Sequence, residues 1–181
     1  MRYPIYDETK NDYTLVKVKY PTQIEEIGRL RYLAWKDEKG INNSFFLKGY
    51  WIDDYDKDSH IWVLVFDNKL VASARLSIHY TVDSIPWNEY FPPEAKCLIE
   101  TPVASMNRLT VLPEFRKKGL STLLDNVRIN TAKKEKVKSI IAEPIVPRFK
   151  TFEKYGFNHY GLMKSTEELP GVILGFNMLR I

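Results

Sequence analysis

The chain has 181 residues, 44% of them hydrophobic and 13% aromatic, enough apolar surface for one core of ordinary size, so a single domain spanning residues 1–181 is expected. Its formal net charge of +4 is too even for a polybasic arm; it suits an anionic small molecule, and no nucleic-acid partner is expected. The single Cys97 excludes an internal disulfide, MRYPIYDETK at the start holds no apolar run of signal-peptide type, and the longest apolar stretch, residues 61–66, is too short to cross a bilayer, which points to a soluble cytoplasmic protein without membrane contact.

Composition is even along the chain, with no linker or repeat. Thr22 and Glu25 have capping-box spacing in front of Ile24, Ile27, Leu30, Leu33 and Ala34, which predicts a helix reaching about Trp35. After WIDDYDKDS, the runs IWVLVF and LVASARLSIHY flank the turn DNK and predict an antiparallel hairpin. A Pro-rich interval over residues 85–93 interrupts regular structure. Residues 103–112 then read as a strand ended by Pro113, and Leu120, Leu123, Leu124, Val127 and Ala132 mark an amphipathic helix over residues 119–133. VKSIIAE reads as a short buried strand, RFKTFEKYGF as a helix stopped by Gly156, and residues 171–181 as a closing strand. The order is helix, hairpin, strand, helix, strand, helix, strand, an α+β pattern.

The hexapeptide RKKGLS sits where a strand hands over to a helix. A helix start exposes unpaired backbone N–H groups and the positive end of the macrodipole, which makes it an anion site. Gly119 lets a phosphate approach the backbone, while Arg116, Lys117 and Lys118 add positive charge. A pyrophosphate fits such a turn; a solvated basic helix start is the alternative reading.

Taken over residues 109–124, LTVLPEFRKKGLSTLL resembles the acyl-CoA-binding motif of GNAT-superfamily acyltransferases, in which R/Q-x-x-G-x-G/A follows a strand and opens a helix. Glu153 to Phe157, EKYGF, resembles the E-K-L-G-F of the same superfamily. Upstream, LRYLAWKDEKG, DDYD and LVASARL resemble branches that include acyl-homoserine lactone synthases and N-acyl amino acid synthases. The resemblance implies a GNAT fold: a central mixed, mostly antiparallel twisted sheet of six to seven strands flanked by about four helices. It also implies an N-acetyltransferase-type enzyme that takes an acetyl or other short acyl group from acetyl-CoA to a small-molecule amine or amino-acid acceptor, and a homodimer is an open expectation.

The resemblance assigns the pantetheine arm to the backbone of Leu109, Thr110 and Val111. It assigns the pyrophosphate to the turn formed by Arg116, Lys117, Lys118, Gly119, Leu120, Ser121 and Thr122, with Ser121 where glycine or alanine is usual. The base position of the superfamily matches Ser105 and Asn107, neither of which accepts a proton near neutral pH. A water relay from these to Glu100, Asp83 or His79 is the resulting expectation. Phe152 stands where the superfamily has its acidic tyrosine, and Tyr155 reads as core packing. An N-acyl amino acid synthase-like enzyme that takes a long acyl chain from acyl carrier protein, and an acyl-CoA-binding module without turnover, are the two alternatives.

Asp53, Asp54, Asp56 and Asp58 read as a solvated loop, or else as an attractor of a cationic amine. Arg75 and Arg108, on strands, read as partners in structural ion pairs. His60 and His79 lack ligand spacing, and no metal site is expected. Trp51 and Trp87 fall in loops able to line an acceptor pocket.

Overall fold

In the computed structural model, which describes residues 12–46 and 48–181, seven strands form one sheet. The absence of a signal-type run in residues 1–10 falls outside the described residues. The strands are β1 Thr14–Val18, β2 His60–Phe66, β3 Lys69–His79, β4 Val103–Val111, β5 Ser139–Ala142, β6 Asn158–Leu162 and β7 Gly175–Arg180, in spatial order β1-β2-β3-β4-β5-β7-β6. Every pairing is antiparallel except β4 with β5, which is parallel. The helices are α1 Ile24–Trp35, α2 Pro93–Lys96, α3 Leu120–Lys134 and α4 Phe149–Lys154.

Alternation along the strands divides the core. Val16, Val18, Ile61 and Val63 pack with Ile27 and Leu30 of α1, while Leu15, Trp62 and Leu64 belong to the cluster that holds Leu120 and Leu124 of α3. Successive residues of a strand point to opposite faces, so α1 and α3 lie on opposite sides of the sheet. The Pro-rich interval is folded rather than loose. Ile85, Phe91 and Ala95 are buried against Val103, Ile141 and Met178.

At the hairpin turn Asp67 and Asn68 both have positive φ, 46° and 58°, the backbone that follows the right-handed twist of paired strands. The Thr22 capping box does not form. Lys19 and Pro21 carbonyls accept from Thr22 N and Ile24 N in a tight turn, so Gln23 takes the cap position, with φ 56°, and makes no capping bond through its side chain. The helix still ends at Trp35 as expected. The chain-order reading passed over β1 and β6, the two edge strands. β6, NHYGL, contains no buried residue, so it shows no apolar alternation.

Two glycines tie the loop after α1 to the loop before β7. Gly171 N donates to Gly40 O at 3.0 Å, and Asn42 N donates to Glu168 O at 3.0 Å. Gly40 has φ +89°, and a Cβ there would lie 2.3 Å from the Gly171 carbonyl carbon. Backbone cannot swing aside as a side-chain tip does. Gly40→Ala is therefore expected to lose about 2 kcal/mol in denaturant unfolding through strain and loop displacement. An unchanged midpoint would show that the two loops part freely.

Candidate active site

The parallel pair is short. β4 pairs with β3 along most of its length, but with β5 only from Val103↔Ser139 to Met106↔Ala142. Beyond Met106 the β5-facing edge of β4 has no strand partner. A bulge coincides with the parting: the β3 register jumps between Ser73↔Thr110 and Arg75↔Asn107, and Arg108 has φ 52°. Bulges re-aim side chains, and this one turns Arg108 into the opening. A cavity of about 630 Å³ fills it, bordered by Asn107, Arg108 and Glu143 where the strands part and by Val111 and Ser121 toward α3.

Leu109, Thr110 and Val111 all line the cavity. The Thr110 hydroxyl is turned away to Ser73 Oγ at 2.9 Å. In the basic turn, Gly119 has φ 80° and caps α3, a conformation that favours glycine. Lys117, Lys118 and Thr122 are exposed, Leu120 is core, and Ser121 borders the cavity. Arg116 is engaged elsewhere. Its Nη2 donates to Ala34 O at 2.6 Å and Nε to Val111 O at 3.2 Å, and Nη1 pairs with Glu38. It satisfies a terminal carbonyl of α1 and fastens that helix to the end of β4. The remaining positive charge of the turn is thus carried by the two exposed lysines.

Ser105 and Asn107 do come together. Asn107 Nδ2 donates to Ser105 Oγ at 3.0 Å, and Asn107 Oδ1 accepts from Arg75 Nε at 2.6 Å. Ser105 is fully buried, and of the two only Asn107 borders the cavity. The structure does not bring Glu100 to them. Glu100 is exposed ahead of Val103, at the end of β4 away from the cavity, and Val103 alone is about 13 Å of strand from Asn107. Asp83 is exposed beside Lys96. His79 bonds Ser77 Oγ at 2.8 Å; burial, with Arg75 adding to it, lowers its pKa to about 4. Glu100 and Asp83 are thus not brought to Ser105 and Asn107, whereas His79 is bonded to Ser77, which stands opposite Ser105 across β3 and β4. Phe152 borders the cavity with its ring buried, and Tyr155 packs edge-on to it.

The acidic stretch is divided. Asp54 and Asp58 are exposed, but Asp56 is fully buried and Asp53 half-buried, which corrects the solvated-loop expectation for those two. Asp56 Oδ2 pairs with Arg31 Nη1 at 2.9 Å, and its Oδ1 lies 3.1 Å from Arg75 Nη1. Asp53 pairs with Arg75 and, at 2.5 Å, with Arg108 Nη2; Arg108 Nη1 reaches Glu168 at 2.9 Å. The structural ion pairs expected for Arg75 and Arg108 are thus present. Burial raises the Asp53 carboxyl, but the guanidiniums of Arg108 and Arg75 outweigh it and hold it well below the usual carboxylate range. The Arg108 guanidinium lies between two indoles, 4.5 Å from the Trp51 ring centre and 4.6 Å from that of Trp87. Both tryptophans border the cavity.

Glu143 is the site residue that the chain-order reading did not single out. It follows the last residue of β5, borders the cavity, and has a buried Oε1 without a hydrogen-bond partner. Burial is the largest influence on it and pushes the carboxyl from an ordinary 4.5 up to about 8, against the attraction of Arg128. Arg128 is itself committed to Asp125 at 2.6 Å and to the Asn107 carbonyl at 3.3 Å. The sequence signal was slight: one acid at the end of the apolar run SIIAE. Among the described residues no cluster of His, Cys, Asp and Glu is placed to hold a metal ion, and no helix is long and apolar enough to cross a membrane.

A mixed sheet opened between its two parallel strands, with a glycine-capped helix starting at the opening, defines a GNAT-type acyltransferase fold. A GNAT family acetyltransferase from Elizabethkingia anophelis with acetyl-CoA bound has a TM-score of 0.60 at 14% identity, over 95% of this chain and 100% of that one. The CoA-dependent acyl-homoserine lactone synthase BjaI, solved with SAM and isopentyl-CoA, has a TM-score of 0.66 at 17% identity, over 91% of this chain and 82% of that one. An N-acetyltransferase structure from Lactobacillus plantarum has a TM-score of 0.63 at 14% identity, over 94% and 99%. No curated protein sequence matches the chain. The family model for N-acyl amino acid synthase FeeM matches residues 26–172, and the chain belongs to that family.

Proposed function

We propose that the protein transfers an acyl group, acetyl or another short chain, from a coenzyme A thioester to the amine of a small molecule or amino acid by direct attack on the thioester. The observation that carries this reading is the unpaired edge of β4 from Leu109 to Val111, which runs along the cavity to the first turn of α3. Backbone groups on that edge, apart from the Val111 carbonyl that accepts from Arg116 Nε, suit the amides of a pantetheine arm. The N–H groups of the α3 start, with Lys117 and Lys118 exposed beside them, suit the pyrophosphate. One domain over residues 1–181 suffices for this chemistry.

A second reading keeps the arm and changes its carrier. Arg116, the cation best suited to forked phosphate contact, is bound to α1 and Glu38, which favours a donor on an acyl carrier protein over a nucleotide. Calorimetric titration with CoA and with pantetheine separates the two. With a nucleotide donor, Lys117→Ala/Lys118→Ala weakens CoA about tenfold, near 1.4 kcal/mol, and leaves pantetheine unchanged. Equal affinity of wild type and variant for CoA would move the donor assignment to the carrier protein. Release of thiol from acetyl-CoA in the presence of an amine panel tests turnover, and CoA binding without release would make the protein a binding module.

A further inference from the structure

We infer that Glu143 is the catalytic base, the group that takes a proton from the acceptor ammonium so that the free amine attacks the thioester; this rests on the acyltransferase reading above. Among the described residues three carboxylates border the cavity, Glu38, Glu143 and Glu168. Glu38 is paired with Arg116, and Glu168 is held by two bonds from Arg108, at 2.9 and 3.1 Å. Glu143 has no ion pair among the described residues, and its Oε1 is buried without a partner. It also stands at the point where β5 leaves β4, beside the edge along which the thioester would lie.

The alternatives at this point of the sheet are closed. Ser105 and Asn107 bond each other, Asn107 also bonds Arg75, and neither is basic. Cationic groups around Glu143 come from α3, β3 and β4: Arg128, Arg75 and Arg108. Each already has a carboxylate partner, although Arg128 shares its own, Asp125, with Arg148. Arg128 pairs with Asp125, which also holds Arg148 from the turn before α4; Arg75 pairs with Asp53 and Asp56; Arg108 pairs with Asp53 and Glu168. Burial therefore governs Glu143 and raises its pKa to about 8, near that of the ammonium it would deprotonate, as efficient general-base catalysis requires.

In the step, an N–H bond of the substrate ammonium breaks and its proton moves to the Glu143 carboxylate. The nitrogen lone pair forms the C–N bond, and the C–S bond breaks with its electron pair on sulfur. The second nitrogen proton ends on the thiolate, giving amide and thiol. Glu143 returns its proton to solvent before the next turnover.

The test is thiol release from acetyl-CoA and octanoyl-CoA across the twenty amino acids and spermidine, between pH 6 and 10, for wild type, Glu143→Gln and Glu143→Asp. Wild-type kcat/KM should rise with a midpoint near 8, as the free carboxyl titrates. Glu143→Gln should lose about 100-fold in kcat and lose that limb, with CoA affinity by calorimetry unchanged; Glu143→Asp should keep a limb. A Gln variant that folds by circular dichroism, turns over within threefold of wild type and retains the limb would overturn the base while leaving the acyltransferase intact. Wild type without transfer to any amine would overturn both.

Discussion

Asp56→Asn is expected to destabilise the protein by about 3–5 kcal/mol, because it leaves the buried Arg31 without a counter-charge and Arg75 with Asp53 alone. Arg31, Arg75 and Asp56 are each fully buried. Asp56 Oδ2 also accepts from Asp53 N at 3.1 Å, closing the turn that presents Asp53 to Arg75 and Arg108. For a chain of this length that loss corresponds to a fall in Tm on the order of 10 °C. Asp54→Asn supplies the contrast. Asp54 pairs with Lys57 at 2.5 Å, but its side chain is 90% exposed, and such pairs contribute roughly 0–1 kcal/mol. Urea unfolding of both variants checks this; similar losses would mean that the buried pairs are solvated.

Glu143→Gln should have opposite effects on stability and turnover. The Glu143 carboxyl is raised from 4.5 to about 8 in the folded chain, so the folded state holds a proton that the unfolded chain releases. The stability of the wild type therefore falls as pH rises from 4.5 and levels off above about 8. The full effect is at most on the order of 5 kcal/mol. Glutamine at this site does not ionise. The variant should match the wild type at pH 5 and melt higher at pH 9. A difference between the two melting temperatures that does not change with pH would show that Glu143 ionises as in water. If it behaves as expected, the cavity retains a destabilising carboxyl, as expected where stability is traded for catalysis.

Local chemistry shows clearly in the sequence where one segment suffices for it. The turn at Asp67 and Asn68, the break at Pro113, the glycine at the start of α3 and the apolar face of that helix are all decided by residues close together in the chain. Edge strands β1 and β6 were overlooked because their pattern is short and, in β6, largely polar. Thr22 was misread because the side-chain spacing of a capping box says nothing about the preceding turn, which moved the cap to Gln23.

The candidate site divides in the same way. Residues 109–124 alone announce a strand edge, a glycine and a helix start, and Leu109, Thr110, Val111, Arg116 and Ser121 of this segment line one cavity. Proton chemistry depends instead on which distant groups neutralise one another. Arg108 takes Asp53 and Glu168, residues 55 and 60 positions away in sequence, and Arg116 takes Glu38, 78 positions away. No reading of spacing could show that these pairings spend the obvious charges and leave Glu143 alone with burial.

By itself, then, the sequence determined the order of its main elements and the kind of anion its α3 turn suits, because hydrogen-bonding and steric rules within about fifteen residues decide both. Tertiary structure decided that Asp53 and Asp56 are ion-pair partners of buried guanidiniums rather than solvated charge, that Arg116 fastens a helix, and that the open carboxyl is Glu143. The reason is electrostatic: a charge's fate depends on desolvation and on its nearest counter-charge, and folding sets both across distances that sequence does not measure.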